Sequence, residues 1–281
     1  MNTALTILDY SIHGNAIDSE SDRRIAEAAA VEGVDAVIRR IEPDDATRCD
    51  TDRVWLRYDL RSRHELSWIV GVAQDLDRRG HCVFPRAESI RLAGDKWETF
   101  HALRRAGIST PETRLAFNPL PFGLPVIVKP RVGWGSIGNR ILRPGCDPIE
   151  DFPAEEMICQ PFIEHHRTWI VPVAGECELP AIEACREPER DGELRMADLP
   201  AGGPGLAAAA AGALGLQAAT VDLIETRSGI MVLEVNSAPR LAYPDLSVAE
   251  PAHPMVRAVL AWMKGSSIRP FESEIKRKPE G

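Results

Sequence analysis

The 281-residue chain has no surplus of positive charge: 33 Lys and Arg stand against 42 Asp and Glu, a net charge of −9. A duplex-binding surface needs clustered cations, so no nucleic-acid partner is expected. No stretch approaches the roughly 18 apolar residues of a membrane helix, and the chain opens MNTALTILDYSIHGN, without a basic start or a long apolar run. Neither membrane association nor a signal peptide is expected. The six cysteines (Cys49, Cys82, Cys146, Cys159, Cys177 and Cys185) form no C-x-x-C pair. That leaves no zinc-ligand spacing and no disulfide framework, and they read as reduced thiols of a cytoplasmic protein. His165 and His166 are the only adjacent histidines, and neighbours in sequence point apart, against shared ligation. No Gly-Lys-Ser or Gly-Lys-Thr follows a glycine loop, so there is no Walker A motif.

What is present begins with alternation. TALTILDY, DAVIRRI, DRVWLRYDL and HCVFP read as strands, with SESDRRIAEAAAVEG and RHELSWIVGVAQDLDRRG as helices between them. Ser19 is the expected cap of the first helix and Gly33 its stop. Strands alternating with helices imply a small three-layer α/β unit with a parallel sheet over residues 1–92. Its first strand-to-helix turn, LDYSIHGNAID, carries one glycine, so a dinucleotide fingerprint is missing where it belongs.

AGDKWETFHALRRAGI follows. Asp95 and Glu98 have capping-box spacing, and Trp97, Phe100, Leu103 and Ala106 share one helical face ending at Gly107. Lys96 sits in the first turn; by itself it reads as a solvated surface lysine. VIVKPRVGWGSIGNRIL contains Gly133, Gly135 and Gly138 in G-x-G-x-x-G spacing, yet NRILRPG behind them is too short for a helix. The loop therefore joins two strands, with Lys129 beside it. Glycines there would let backbone amides approach phosphate oxygens, and the lysine would add a point charge.

TVDLIETRSGIMVLEVNSAPRL reads as a strand hairpin. If Arg227-Ser228-Gly229 is the turn, Thr226 pairs with Ile230 and Asp222 falls opposite Glu234. Alternation then puts Asn236 on the Glu234 face, with Met231, Leu233 and Val235 packed behind. Two opposed carboxylates repel unless a cation lies between them, and Mg²⁺ prefers such oxygen donors. The bland alternative is a solvent-facing polar stripe.

In this order, the helix-start lysine, strand lysine, glycine flap and D…ExN hairpin resemble the ATP-grasp superfamily. The branch that looks nearest holds the ribosomal-protein glutamate ligases and the carrier-protein ligases of lysine biosynthesis. The resemblance covers about residues 90–265. It implies an N-terminal α/β domain (1–92) and a two-part ATP-grasp domain (93–265), with the flap subdomain near 108–164 and the metal-binding subdomain near 165–265. It further implies that Lys96 and Lys129 contact ATP phosphates and that Gly133, Gly135, Ser136 and Gly138 form the flap. Gln160, Pro161, Phe162 and Ile163 would line the adenine pocket, with Glu164 for the ribose. Asp222, Glu234 and Asn236 would hold two Mg²⁺, with Mn²⁺ an alternative. Arg195, in ELRMADLPAGG, would face the γ-phosphate, and Arg186 would do similar work or bind a substrate carboxylate.

The sequence departs from the family at Pro161, where an acid is usual, and at Arg240, where glycine is usual. Arg240 reads equally as a carboxylate-binding group and as a surface arginine; Arg57 and Arg61 are further substrate-side candidates. PGLAAAAAGALGL reads as a helix from Pro204, and HPMVRAVLAWMKG as a helix closing the ATP-grasp domain with Met255, Val256, Val259, Leu260 and Met263 inward. Residues 266–281 read as a disordered tail. The activity implied is carboxylate–amine ligation through an acyl phosphate, releasing ADP and phosphate. Small amino acids or carboxylates, or a peptide or carrier protein, would be the substrates, and a homo-oligomer is compatible with the family. The alternatives are a peptide-modifying ligase and a non-catalytic nucleotide-binding module.

Overall fold

The computed structural model describes residues 4–10, 16–42, 49–117, 120–145, 153, 155–165, 167–185, 194–227, 229–241 and 251–265. Strands β1 (Ala4–Tyr10), β2 (Asp35–Arg40), β3 (Arg53–Tyr58) and β4 (Cys82–Phe84) alternate with helices α1 (Ala16–Val31) and α2 (Arg63–Arg78). The strands form one parallel sheet in the order β2-β1-β3-β4. A sheet covered on both faces needs continuously apolar central strands. β1 and β3 meet that demand, whereas the edge strand β2 is largely exposed. Ile25 and Ala29 of α1 pack on one side, and Leu66, Ile69 and Leu76 of α2 on the other.

Two helix starts differ from expectation. α1 begins at Ala16, so Ser19 lies inside the helix instead of capping it. The complete capping box belongs to α2, where Ser62 accepts from the Glu65 amide and the Glu65 carboxylate accepts from the Ser62 amide. α3 (Ala87–Gly94), unread in the sequence, turns directly into α4 (Lys96–Arg105). Asp95 caps α4 through the Trp97 amide, but Glu98 binds Arg91 at 2.8 Å, so the expected reciprocal bond is absent there. The buried residues of α4 are Thr99, Phe100, Ala102 and Leu103, with Trp97 only half-buried.

β5 (Arg114–Leu115), β6 (Val126–Pro130), β7 (Arg140–Leu142) and β8 (Met157–Pro161) make a small antiparallel sheet in the order β5-β8-β6-β7. The glycine loop thus joins two antiparallel strands. β9 (Arg167–Ala174), β10 (Cys177–Glu178), β11 (Ile182–Cys185), β12 (Leu194–Met196), β13 (Ala218–Thr226) and β14 (Gly229–Asn236) form the third sheet, ordered β12-β11-β9-β13-β14 with β10 on β9. α5 (Leu206–Ala213) covers one face, burying Trp169, Val171, Val221 and Leu223 against its alanines. It starts two residues after Pro204, and the Glu178 carboxylate accepts from the Gly205, Ala207 and Ala208 amides. An anion there satisfies orphan donors and complements the helix dipole.

α6 (Ala252–Gly265) buries the expected Met255, Val256, Val259, Leu260 and Met263. Its destination is the surprise. It shares one core with Leu5, Ile7, Trp55 and Phe84 of the N-terminal sheet, as well as with Ala218 of β13. A helix read as closing the ATP-grasp domain therefore seals the N-terminal sheet too. The tail 266–281 lies outside the described residues.

Candidate active site

The β13–β14 hairpin carries the acidic pair, and its register explains why. Asp222 and Glu234 are direct partners, as are Thr220 and Asn236. The turn is tighter than expected: Thr226 pairs with Gly229, one residue short of Ile230. An irregularity between Asp222 and Leu223 restores that residue, since Leu223 pairs with Val232 and Asp222 with Glu234. A bulge adds one residue to one strand and re-aims the side chains beyond it. Val232 consequently takes the core position expected of Leu233, and Leu233 joins the wall of the cavity that Asp222 and Glu234 line. Val235 is buried behind, as expected, and Met231 is half-buried.

Lys96 and Lys129 reach this acidic end from two other elements. Asp95, at the start of α4, is buried against Arg131, whose Nη2 donates to its Oδ2 at 2.6 Å. The Lys96 amide donates to the Arg131 carbonyl at 2.8 Å. These bonds tie the helix bearing Lys96 to the end of the strand bearing Lys129. Lys96 Nζ lies 3.4 Å from Glu234 Oε1 and donates to the Gly133 carbonyl at 2.6 Å. Burial pushes the Lys129 ammonium down to about 8; Glu234 opposes that shift and the neighbouring charge of Lys96 adds to it. Two cations and two carboxylates thus share one end of the site.

The cavity between the two antiparallel sheets measures about 360 Å³. Lys96, Lys129, Gly133, Gly135, Ser136, Gln160, Pro161, Phe162, Ile163, Asp222 and Glu234 line it together. Flap geometry depends on left-handed backbone at Gly135, Ser136 and Gly138. Sequence reasoning missed Trp134, Ile127, Ile141, His165, Thr168, Ile224 and Leu233 on the walls. Ile224 was within reach, being two residues from Asp222 on the same strand face; Leu233 was not, because only the bulge brings it round. The apolar end is built from Ile127, Ile141, Phe162 and Ile224, and suits a flat ring. Gln160 is pinned by its own side chain, Nε2 donating to Thr113 Oγ1 at 2.8 Å.

Several expected residues fall elsewhere. Glu164 is exposed and does not line the cavity; His165 does, its Nδ1 2.9 Å from the Ile163 carbonyl. Arg195 is a correction. It pairs across strands with Glu183, Nε and Nη2 binding Oε2 at 3.0 and 2.9 Å. Glu183 is level with Trp169 and Leu223, which place this pair on the α5 face, opposite to Asp222. The expected γ-phosphate contact is therefore not made from there. Arg57 is a second correction: it is buried, bound to Asp22 Oδ1 at 3.0 Å, and donates to the Pro239 carbonyl at 2.8 Å. A guanidinium so committed holds structure, not substrate. Arg61 lies 5.5 Å over the Trp134 ring. Arg240 is half-buried in the loop after β14, outside the cavity wall, and Arg186 lies outside the described residues.

The oxygen donors fit a hard cation. Among the described residues, no group of three or more His, Cys, Asp and Glu could hold a metal. Asp222 and Glu234 line the cavity; Asn236, two residues along β14 from Glu234, is not on its wall and would have to turn its amide inward to complete a partial set. Such a set suits Mg²⁺ because it keeps waters and substrate phosphates in its octahedron. No helix among the described residues is long and apolar enough to cross a membrane.

Residues 93–182 match the ATP-grasp domain family. N5-carboxyaminoimidazole ribonucleotide synthase of Pseudomonas aeruginosa is 33% identical over 122 residues, 41% of this chain but only 31% of that relative. Among solved structures, D-cycloserine synthetase DcsG superposes with a TM-score of 0.71 at 18% identity, covering 92% of this chain and 99% of that one. D-alanine–D-alanine ligase from Bacillus anthracis, complexed with ATP, gives 0.68 at 16%, covering 93% and 99%. The ATP-grasp ligase PsnB, with minimal precursor, Mg and ADP, gives 0.64 at 15%, covering 94% and 98%. The likeness runs across several branches, so the fold does not select one. Residues 93–182 thus carry the match to an ATP-grasp domain, within a chain that shares its fold over nearly its whole length with solved ATP-grasp and related ligase structures.

Proposed function

We propose that the protein is an ATP-dependent carboxylate–amine ligase. The observation that carries this is the convergence of Lys96, Lys129, Asp222 and Glu234 at one end of a cavity whose other end is apolar. A purine would lie between Ile127, Phe162 and Ile224, and its phosphates would run toward the lysines under the glycine flap. A carboxylate oxygen of the first substrate attacks the γ-phosphorus, and the bond to ADP breaks. The amine of the second substrate then attacks the acyl carbon; phosphate leaves and the nitrogen gives up a proton. Neither step needs a side-chain nucleophile, but both need neutralised charge. The lysines supply part of it, and Mg²⁺ held by Asp222, Glu234 and Asn236 would supply Lewis acidity at the phosphates. The named ligases of the same fold support ligation as the reaction class.

The test is product analysis with Mg²⁺-ATP, pooled amino acids and small carboxylates, and hydroxylamine as trap. ADP with carboxylate-dependent hydroxamate is expected, and splitting the pool then identifies the donor. Glu234→Ala is expected to lower that turnover by roughly two orders of magnitude or more. AMP formation, or a Glu234→Ala variant of near wild-type rate, would sink the reading.

A further inference from the structure

Three hydrogen bonds from the N-terminal unit converge on residues 237–241, the segment that leaves the acidic hairpin. The Tyr58 hydroxyl lies 2.6 Å from Ser237 Oγ, Arg57 Nη1 donates to the Pro239 carbonyl at 2.8 Å, and the Leu241 amide donates to Ser21 Oγ at 3.1 Å. Asp22 holds Arg57 in place. Ser21, Asp22, Arg57 and Ser237 are all at most 4% exposed. Burying so many polar groups is costly, and an apolar contact would tether two segments as well. What hydrogen bonds add is direction: they fix the loop in one orientation on the sheet edge.

That orientation bears on the site. Asn236 is the last residue of β14 and pairs with Thr220 on the last rung of its ladder. Its frame is therefore held on one side by Thr220 and on the other by whatever restrains Ser237, its next neighbour. We propose that Tyr58 is a positioning residue: through Ser237 it fixes the exit of β14, and so aims the Asn236 amide into the oxygen set with Asp222 and Glu234. This rests on the metal reading of that hairpin. It makes the N-terminal unit part of the metal site without contributing a ligand.

The test is Mn²⁺ binding by electron paramagnetic resonance, with a non-hydrolysable ATP analogue present. Tyr58→Phe removes one oxygen and keeps the ring. It is expected to weaken Mn²⁺ binding roughly tenfold, the low end of what residues supporting a metal ligand give. Ser237→Ala probes the same bond from its other side and serves if Tyr58→Phe fails to fold. The double variant is expected to be no weaker than either single one, as for two residues sharing one interaction. Ile69→Val trims the core cluster that Tyr58 packs against but removes no atom of the Tyr58–Ser237 bond; it should lower Tm and leave Mn²⁺ affinity alone. The inference is overturned if both single variants stay within about twofold of wild type, if their effects add, or if Ile69→Val weakens binding equally. Glu234→Ala separates the two layers. Unchanged Mn²⁺ binding in that variant removes the metal reading itself, whereas lost binding there beside wild-type affinity in Tyr58→Phe removes only the positioning role.

Discussion

Lys129 is expensive to keep. It is 8% exposed, and its ammonium is held down at about 8, against an ordinary 10.5. The unfolded chain therefore binds that proton more tightly than the folded one, and the cost to stability is fully present below pH 8. It fades as pH rises from about 8 toward 10.5. The difference corresponds to a few kcal/mol, on the order of 3. Lys129→Met is accordingly expected to raise the Tm of the nucleotide-free protein at pH 7, with the gain shrinking across that alkaline window. Affinity for an ATP analogue should fall at the same time. A Tm gain that is flat with pH would mean that burial is not what strains this lysine. The lysine itself was legible from its place at the end of VIVKP; its burial was not, because that comes from α4 and β14 closing over it. Arg57 shows the converse. Sequence offers an arginine after an apolar strand, and only the fold supplies Asp22 and the Pro239 carbonyl that use it up.

Among the elements, the glycine loop was readable because its neighbours decide what it joins. RIL followed by Pro-Gly cannot open a helix, and the loop does join β6 to β7. Its glycines are not equivalent. Gly135 has φ +64 with open space around it, whereas a Cβ on Gly138, at φ +77, would lie 3.0 Å from Pro130 Cγ. Gly135→Ala is expected to cost about 1–2 kcal/mol, the strain of left-handed backbone. Gly138→Ala adds a collision with a proline ring that cannot rotate away. The expectation is that nucleotide affinity, measured by calorimetry, falls further for Gly138→Ala than for Gly135→Ala; the reverse order would show that the flap bears on its ligand at Gly135. The acidic hairpin was legible in its outcome but not in its path. Asp222 opposite Glu234 follows from a three-residue turn, and also from a tighter turn followed by a bulge. Alternation of side chains cannot tell these apart until the far strand is seen, so Leu233 was assigned to the wrong face.

At the scale of the molecule, the parallel sheet followed from strand–helix alternation. Of the two antiparallel sheets, only the strand pair around the glycine loop and the acidic hairpin were readable from their residues, the two-part domain itself being implied by the family resemblance. What sequence did not disclose is which unit owns α6. Period and capping mark a helix with one apolar face, but not what that face will meet, and it meets Leu5, Ile7, Trp55 and Phe84. Residues 1–92 expressed alone would leave that face bare. They are expected to show helical far-ultraviolet dichroism without fixed near-ultraviolet signals, and to bind a hydrophobic dye. A fragment with native-like near-ultraviolet dichroism would establish the N-terminal unit as independently stable.

The shared core also sets a schedule. β1 leaves the ribosome well before α6, which buries Leu5 and Ile7, because most of the chain given lies between them. At ~5–20 residues per second, the interval between them is on the order of ten seconds to a minute. Through that interval the nascent sheet must either hold its apolar side in a loose collapsed state or hand it to a chaperone. Translation speed between β1 and α6 therefore bears directly on the yield of soluble protein.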